Sequence, residues 1–148
     1  MREQIQVHVE LCRPEARLPQ YAHPDDAGTD IYAAETVTIA PGQTVLVATG
    51  LKVAIPDGFE LQIRPRSGLS FKTPLRVPNT PGTIDAGYRD EVRVIMQNTS
   101  LDTPYTVSVG DRIAQFVLQR VPMAAFTLVD SVAEIGENRG GGFGSSGK

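Results

Sequence analysis

The run from Asn79 to Val92, NTPGTIDAGYRDEV, gathers a carboxylate, an aromatic ring and several turn residues in one short stretch. Asn79, Pro81 and Gly82 open it, Thr83 and Ile84 lead to Asp85, and Ala86-Gly87 turns the chain again before Tyr88. A turn, a short strand, a Gly turn and another strand predict a β-hairpin. Such a hairpin sets carboxylate, ring and exposed amides around one concave space. A carboxylate beside a Gly-lined slot can act as general base on water, and the ring can pack against a flat ligand. The same residues also fit a surface hairpin with a solvated Asp85 and a half-buried Tyr88, since short motifs recur by chance.

Two further stretches carry anion chemistry. Pro65-Arg66-Ser67-Gly68-Leu69 brings backbone amides, a hydroxyl and a guanidinium together, and Ser67 is placed to cap a short helical turn through Lys72. A capped turn with a surface Arg explains the same pattern. The Gly- and Ser-rich end, Arg139 to Lys148, has linker character but includes Arg139 and Phe143, a cation and an aromatic that suit a lid over a charged, planar ligand. Gly142 to Lys148 also matches the GxxxxGK spacing of a P-loop, but no helix follows it in this chain, so that assignment is rejected.

The elements that must hold these residues read as strands. Ile5 to Leu11 alternates apolar and polar, as do Phe59 to Arg64 and Val92 to Gln97. Ala27 to Glu35 contains a short strand led by Asp30. Thr44 to Ala48, Leu51 to Ile55, Pro104 to Val109, Arg112 to Leu118 and Ala124 to Val129 complete the set. Pro41-Gly42, Pro56-Asp57-Gly58 and Gly110-Asp111 mark turns, and Arg13 to Asp26 is a connection rich in Pro and charge. About ten short strands with turn signals about 8–12 residues apart, and no amphipathic helix of ordinary length, predict an all-β jelly roll or related barrel with at most one short helix.

Composition agrees with one soluble domain: 148 residues, 41% hydrophobic, 21% charged, with 14 Gly and 11 Pro. A net charge of −3 gives no reason to expect nucleic-acid binding. Of the 14 basic residues 11 are Arg, and Arg64, Arg66 and Arg112 stand beside turn or Gly motifs, which keeps local phosphate binding open. The single Cys12 excludes an internal disulfide, and His8 and His23 do not form a zinc pattern. Without an apolar leader or a transmembrane-length run, a cytoplasmic location is the expectation.

Five blocks, AGTDIYAA (27–34), PRSGL (65–69), GTIDAGYRDEV (82–92), GDRIAQF (110–116) and RGGGFGSSG (139–147), stand in the order of one family. In them the sequence resembles a trimeric-type dUTPase. The resemblance implies hydrolysis of dUTP to dUMP and pyrophosphate, by water attack on the α-phosphorus, on a distorted jelly roll. Asp85 would be the general base. Tyr88 would pack beneath the deoxyribose, and the backbone of Gly82, Thr83 and Ile84, with the Asn79 amide, would read uracil. Arg66, Ser67 and Gly68, with Gln115, would hold the phosphate chain, Ser67 also reaching the bridging oxygen. Arg139 would meet the γ-phosphate, and Phe143 would stack over the base as the arm containing Gly144 closes.

Mg2+ would be held chiefly by the phosphates and water, with Asp30 acting through a coordinated water. The implied assembly is a homotrimer whose shared sites draw on three chains, residues 1–133 forming the catalytic domain and 134–148 a flexible arm. No membrane partner is implied. Two stretches depart from the common family pattern: Asp90 after Tyr88-Arg89, and the approach Ala22 to Asp26. The nearest alternative on the same fold is a dCTP deaminase, or a bifunctional form, which would need an active-site glutamate where this chain has Asp85. A catalytically silent binding protein would be expected to have lost Asp85 or Tyr88. A capsid-like jelly roll leaves Arg66, Gln115 and Arg139 unexplained.

Overall fold

The structure, a computed structural model, describes residues 2–145 and 147; Ser146 and Lys148, which the tail readings include, lie outside the described residues, as does Met1. In chain order the elements are β1 (His8–Leu11), β2 (Thr29–Tyr32), β3 (Val37–Ile39), β4 (Thr44–Ala54), β5 (Phe59–Arg64), α1 (Ser67–Lys72), β6 (Leu75–Arg76), β7 (Gly82–Ile84), β8 (Val92–Asn98), β9 (Tyr105–Val107) and β10 (Arg112–Arg120). They form two four-stranded sheets, ordered β1-β4-β8-β6 and β2-β10-β5-β7, and a two-stranded ribbon of β3 and β9. Every pairing is antiparallel, giving the jelly-roll type of fold.

Period-two patterning explains the core. On β8, Val92, Val94 and Met96 are buried while the residues between them are not. They meet Val47 and Leu51 of β4, Ile31 of β2 and Ile113 of β10 in one cluster. Asn98, fully buried at the end of β8, donates to the Ile39 and Thr103 carbonyls at 3.0 and 2.8 Å, and its Oδ1 accepts from the Ser100 amide. A buried amide is tolerated there because its polar atoms are paired.

Several expectations are corrected. The two strands expected at 44–48 and 51–55 are one strand, β4, whose register to β8 shifts between Ala48 and Leu51. Gly50 sits in that bulge at φ +69°, and a Cβ there would come within 2.6 Å of the Ala16 Cβ. Turn chemistry at a bulge resembles a strand break in sequence. The alternation from Ile5 is seen in the burial, but pairing begins only at His8, opposite Ala54. Pro56 lies just beyond and has no N–H for a longer ladder.

The hairpin over Asn79–Val92 does not form as a hairpin. β7 pairs with β5, whereas β8 pairs with β4 and β6, so residues 85–91 cross from one sheet to the other. Gly82 permits this close approach, since a Cβ there would be 3.3 Å from the Ile63 Cβ and from the Asn79 amide nitrogen. Ser67 is not a helix cap: Arg66 occupies that position, without a side-chain cap, and Ser67 is the first residue of α1.

No strand forms at Ala124–Val129, where Phe126 and Leu128, like Met123 just before them, are almost wholly exposed. Among the described residues that segment has no sheet partner within the chain, and apolar alternation without a surface to cover does not make a strand. Regular structure ends at Arg120. Among the described residues no helix is long and apolar enough to cross a membrane.

Candidate active site

The first cluster lies where β2, β10 and the exit of β5 meet. Asp30 and Gln115 are directly opposed across β2 and β10, and Gln115 also faces Arg64 on β5. Gln115 Nε2 donates to the Pro65 carbonyl at 2.9 Å, which fixes the chain as it leaves β5 for α1. A Cβ on Gly28 would fall 2.3 Å from Gln115 Oε1, so glycine at 28 keeps the place of that amide rather than merely easing a turn.

The Asp30 carboxylate is shared by two cations. Arg66 Nε donates to Oδ1 at 2.8 Å, and Arg112 Nη1 lies 3.5 Å from Oδ2. Together with Ser67, Gly68 and Gln115 these groups line a cavity of about 360 Å³. Each guanidinium keeps further N–H groups for an incoming anion, and the first amides of α1 have no intrahelical carbonyl to bind. The set suits a phosphate chain. Arg64 is not part of it: its guanidinium donates to Gln62 Oε1 at 3.0 and 2.7 Å.

The second cluster is built by β7 and the crossing residues 85–91. Asn79, Gly82, Thr83, Ile84, Asp85 and Tyr88 all line one cavity of about 420 Å³, walled on its apolar side by Leu46, Ile63 and Ile95. The Tyr88 amide donates to the Asp85 carbonyl at 3.1 Å and its hydroxyl to the Glu91 carbonyl at 2.9 Å. Asp85 is exposed, and among the described residues its carboxylate has no hydrogen bond or ion pair. A free carboxylate on a half-apolar wall can orient and deprotonate a water.

The two cavities share no lining residue. Asp85 and Tyr88 are therefore in one and Arg66, Ser67, Gly68, Gln115 and Asp30 in the other. Arg139, Phe143 and Gly144 line neither cavity; they lie in an exposed tail where Phe143 has φ 48°. Within it the Gly142 amide donates to Ser145 Oγ at 2.8 Å.

Sequence reasoning did not single out Glu91, Arg93, Leu46 or Ile95 for the second cavity, nor Asp26 for the first. Leu46 and Ile95 face each other across β4 and β8, a register that alternation alone cannot supply. Glu91 stood in the motif, and its place between Arg89 and Arg93 was the only available signal.

For Mg2+, the donor set decides the kind of binding. No group of three or more His, Cys, Asp or Glu side chains clusters among the described residues. Asp30, with both oxygens facing guanidinium groups, is poorly suited to direct ligation but fits contact through a metal-bound water. The residues present thus fit a metal that arrives on phosphate oxygens.

An all-β scaffold of the jelly-roll type thus carries a cationic, amide-lined cavity and a separate cavity with a carboxylate and an aromatic ring. The dUTPase family model matches residues 14–147. The deoxyuridine 5'-triphosphate nucleotidohydrolase of Solibacter usitatus is 50% identical over 147 residues, covering 97% of each chain. That of Thermobifida fusca is 48% identical over 143 residues, 97% of this chain and 79% of the relative. Among solved structures, the Staphylococcus bacteriophage 80alpha dUTPase with dUPNHPP superposes with a TM-score of 0.89 at 30% identity, covering 97% of this chain and 99% of that one. The chain belongs to the dUTPase family, and its class is that of the dUTP diphosphatases. The deaminase alternative finds no support in these relatives.

Proposed function

We propose that this chain hydrolyses dUTP to dUMP and pyrophosphate in a site assembled from several copies of itself, a homotrimer in keeping with the family resemblance. The observation that carries the assembly is the separation of the two cavities. In one chain the groups fit for base and sugar and the groups fit for phosphate line two cavities without a common residue, and an assembly that brings such cavities together is what the family resemblance implies. Joining the second cavity of one copy to the first of another completes the set.

In this reading uracil lies against the β7 backbone, where amide and carbonyl groups match its imide edge and would be left mispaired by cytosine. Tyr88 supports the deoxyribose and leaves no room for a 2′-hydroxyl. Arg66, the α1 amides and Gln115 hold the phosphates. Asp85 takes a proton from water as its oxygen bonds the α-phosphorus; the bond from that phosphorus to the bridging oxygen breaks, and pyrophosphate leaves. A positioned base contributes about 10²–10⁴-fold, and the rest comes from positioning and charge stabilisation. Mg2+ bound to the phosphates would supply charge neutralisation, with Asp30 holding its water shell. Residues 1–133 act as the catalytic body and 134–148 as an arm that brings Arg139 to the γ-phosphate and Phe143 over the base. The reaction would keep uracil out of DNA and supply dUMP for thymidylate synthesis.

Product analysis with dUTP, dCTP and UTP in Mg2+, assaying pyrophosphate and ammonia together, tests this. Pyrophosphate from dUTP alone is the expected result. Ammonia from dCTP, or equal hydrolysis of UTP, would overturn it.

A further inference from the structure

We propose that Glu91 is the positioning residue of the Asp85–Tyr88 turn, and that its hold on Gly50 and Arg13 sets how strictly the second cavity discriminates deoxyribose from ribose. The inference deepens the proposed function and rests on its placement of Tyr88 beneath the sugar.

The crossing residues 85–91 belong to neither sheet. Internally the turn is stapled: Arg89 Nη1 donates to the Ala86 and Tyr88 carbonyls at 2.6 and 2.8 Å, and the Tyr88 amide reaches the Asp85 carbonyl. The turn thus behaves as a unit whose orientation depends on what holds its ends. One end is β7. The other is Glu91, whose carbonyl accepts the Tyr88 hydroxyl at 2.9 Å.

The Glu91 side chain reaches into the framework from the same residue. Only 14% exposed, its carboxylate accepts from Arg13 Nε at 2.6 Å, Arg13 Nη2 at 3.1 Å and the Gly50 amide at 3.0 Å, with Arg93 Nη2 at 3.3 Å. Gly50 is free to donate because β4 bulges there, out of the β4–β8 ladder. The bulge is itself fixed: the Gly50 carbonyl accepts from the Cys12 amide at 2.8 Å, and Thr49 Oγ1 donates to the Val92 carbonyl. Tyr88 is therefore linked through Glu91 to the bulge of β4 and to the Arg13 guanidinium, 78 residues from Glu91 in sequence. Charge-assisted, partly buried contacts of this kind hold geometry more firmly than a fully exposed ion pair. A Tyr88 ring displaced by a fraction of an ångström would open space where a 2′-hydroxyl has none.

The test compares kcat/KM for dUTP and UTP in the unaltered protein, Glu91→Gln, Arg13→Met, Arg13→Lys and the double variant Glu91→Gln/Arg13→Met. Glu91→Gln keeps the shape and removes the charge. The expected result is a fall in the dUTP-over-UTP ratio of roughly ten- to a hundredfold in both Glu91→Gln and Arg13→Met, since a misplacement of about 1 Å costs about 10²-fold. The double variant should fall no further than the singles, and Arg13→Lys should recover part of the ratio. Proportionate loss on both substrates, or an unchanged ratio, overturns the proposal. If Glu91→Gln does not fold, Arg13→Met decides the matter, its side chain being 33% exposed. Failure of the underlying function is distinguishable: it appears in the unaltered protein as no hydrolysis of dUTP or no preference for it.

Discussion

Arg66 and Asp30 form an ion pair at 2.8 Å between the N-cap position of α1 and the middle of β2, 36 residues apart in sequence. The carboxylate orients the guanidinium at the mouth of the first cavity before any anion arrives. Arg66→Lys should therefore retain the charge but lose the planar fork, and kcat/KM for dUTP should drop by roughly 10²–10³-fold. Steady-state kinetics beside an unchanged thermal midpoint would bear this out; activity near that of the unaltered protein would remove Arg66 from the phosphate site.

Asp85→Asn changes charge and not shape. Turnover should fall about 10²–10⁴-fold while a non-hydrolysable α,β-imido analogue of dUTP binds with little change by calorimetry. Turnover like that of the unaltered protein would sink the general-base assignment.

Gly28→Ala should act on the amide of Gln115. The new methyl would meet chiefly the far end of the flexible Gln115 side chain, which can move aside, and would also press on the Phe116 carbonyl oxygen at 3.3 Å, so folding should cost about 1 kcal/mol. Because Gln115 would be displaced from its place in the cavity, KM for dUTP should rise more than kcat falls. A KM left unaltered would show that Gln115 tolerates the shift.

Removal of residues 138–148 should leave folding and oligomeric mass intact, because no strand or core contact lies there among the described residues, yet should impair catalysis. Light scattering and kinetics measured together separate the outcomes. Loss of the oligomer would make the tail structural instead.

The pH dependence of stability has one clear contributor. The hydrogen bond from Arg13 holds the Glu91 carboxyl below the ordinary glutamate range, aided by the Gly50 amide and by Arg13 and Arg93 charge and opposed by burial. A group whose folded-state pKa is depressed stabilises the fold above its unfolded pKa and loses that contribution as pH falls through the folded value. The difference in stability between the unaltered protein and Glu91→Gln, followed by denaturant melts, should accordingly shrink on acidification below the ordinary glutamate pKa of about 4.3. A difference that grew on acidification would contradict the assigned sign.

Much of the fold and site was legible along the chain. Val92, Val94 and Met96 announce their buried face by alternation, whereas Asp85 and Tyr88 line one cavity through a crossing between sheets and not through the hairpin that their spacing suggests. Less was legible at Ser67, where a hydroxyl at a helix start looks like a cap but lies one residue inside it. Glu91 was invisible as a determinant, because its partners Arg13 and Gly50 are 78 and 41 residues away and meet it only through a bulge.

The sequence by itself determined the all-β character, the turn positions and the residue types fit for binding an anion, since these depend on local periodicity and side-chain chemistry. Tertiary structure alone decided that β7 joins β5 and not β8, because that choice turns on close packing at Gly82 against Ile63. It also decided that Asp85 and Tyr88 line one cavity, and Arg66, Ser67 and Gln115 another, with no residue in common. Sheet partnership is a long-range property of backbone pairing and packing, and nothing in the spacing of the motifs encodes it.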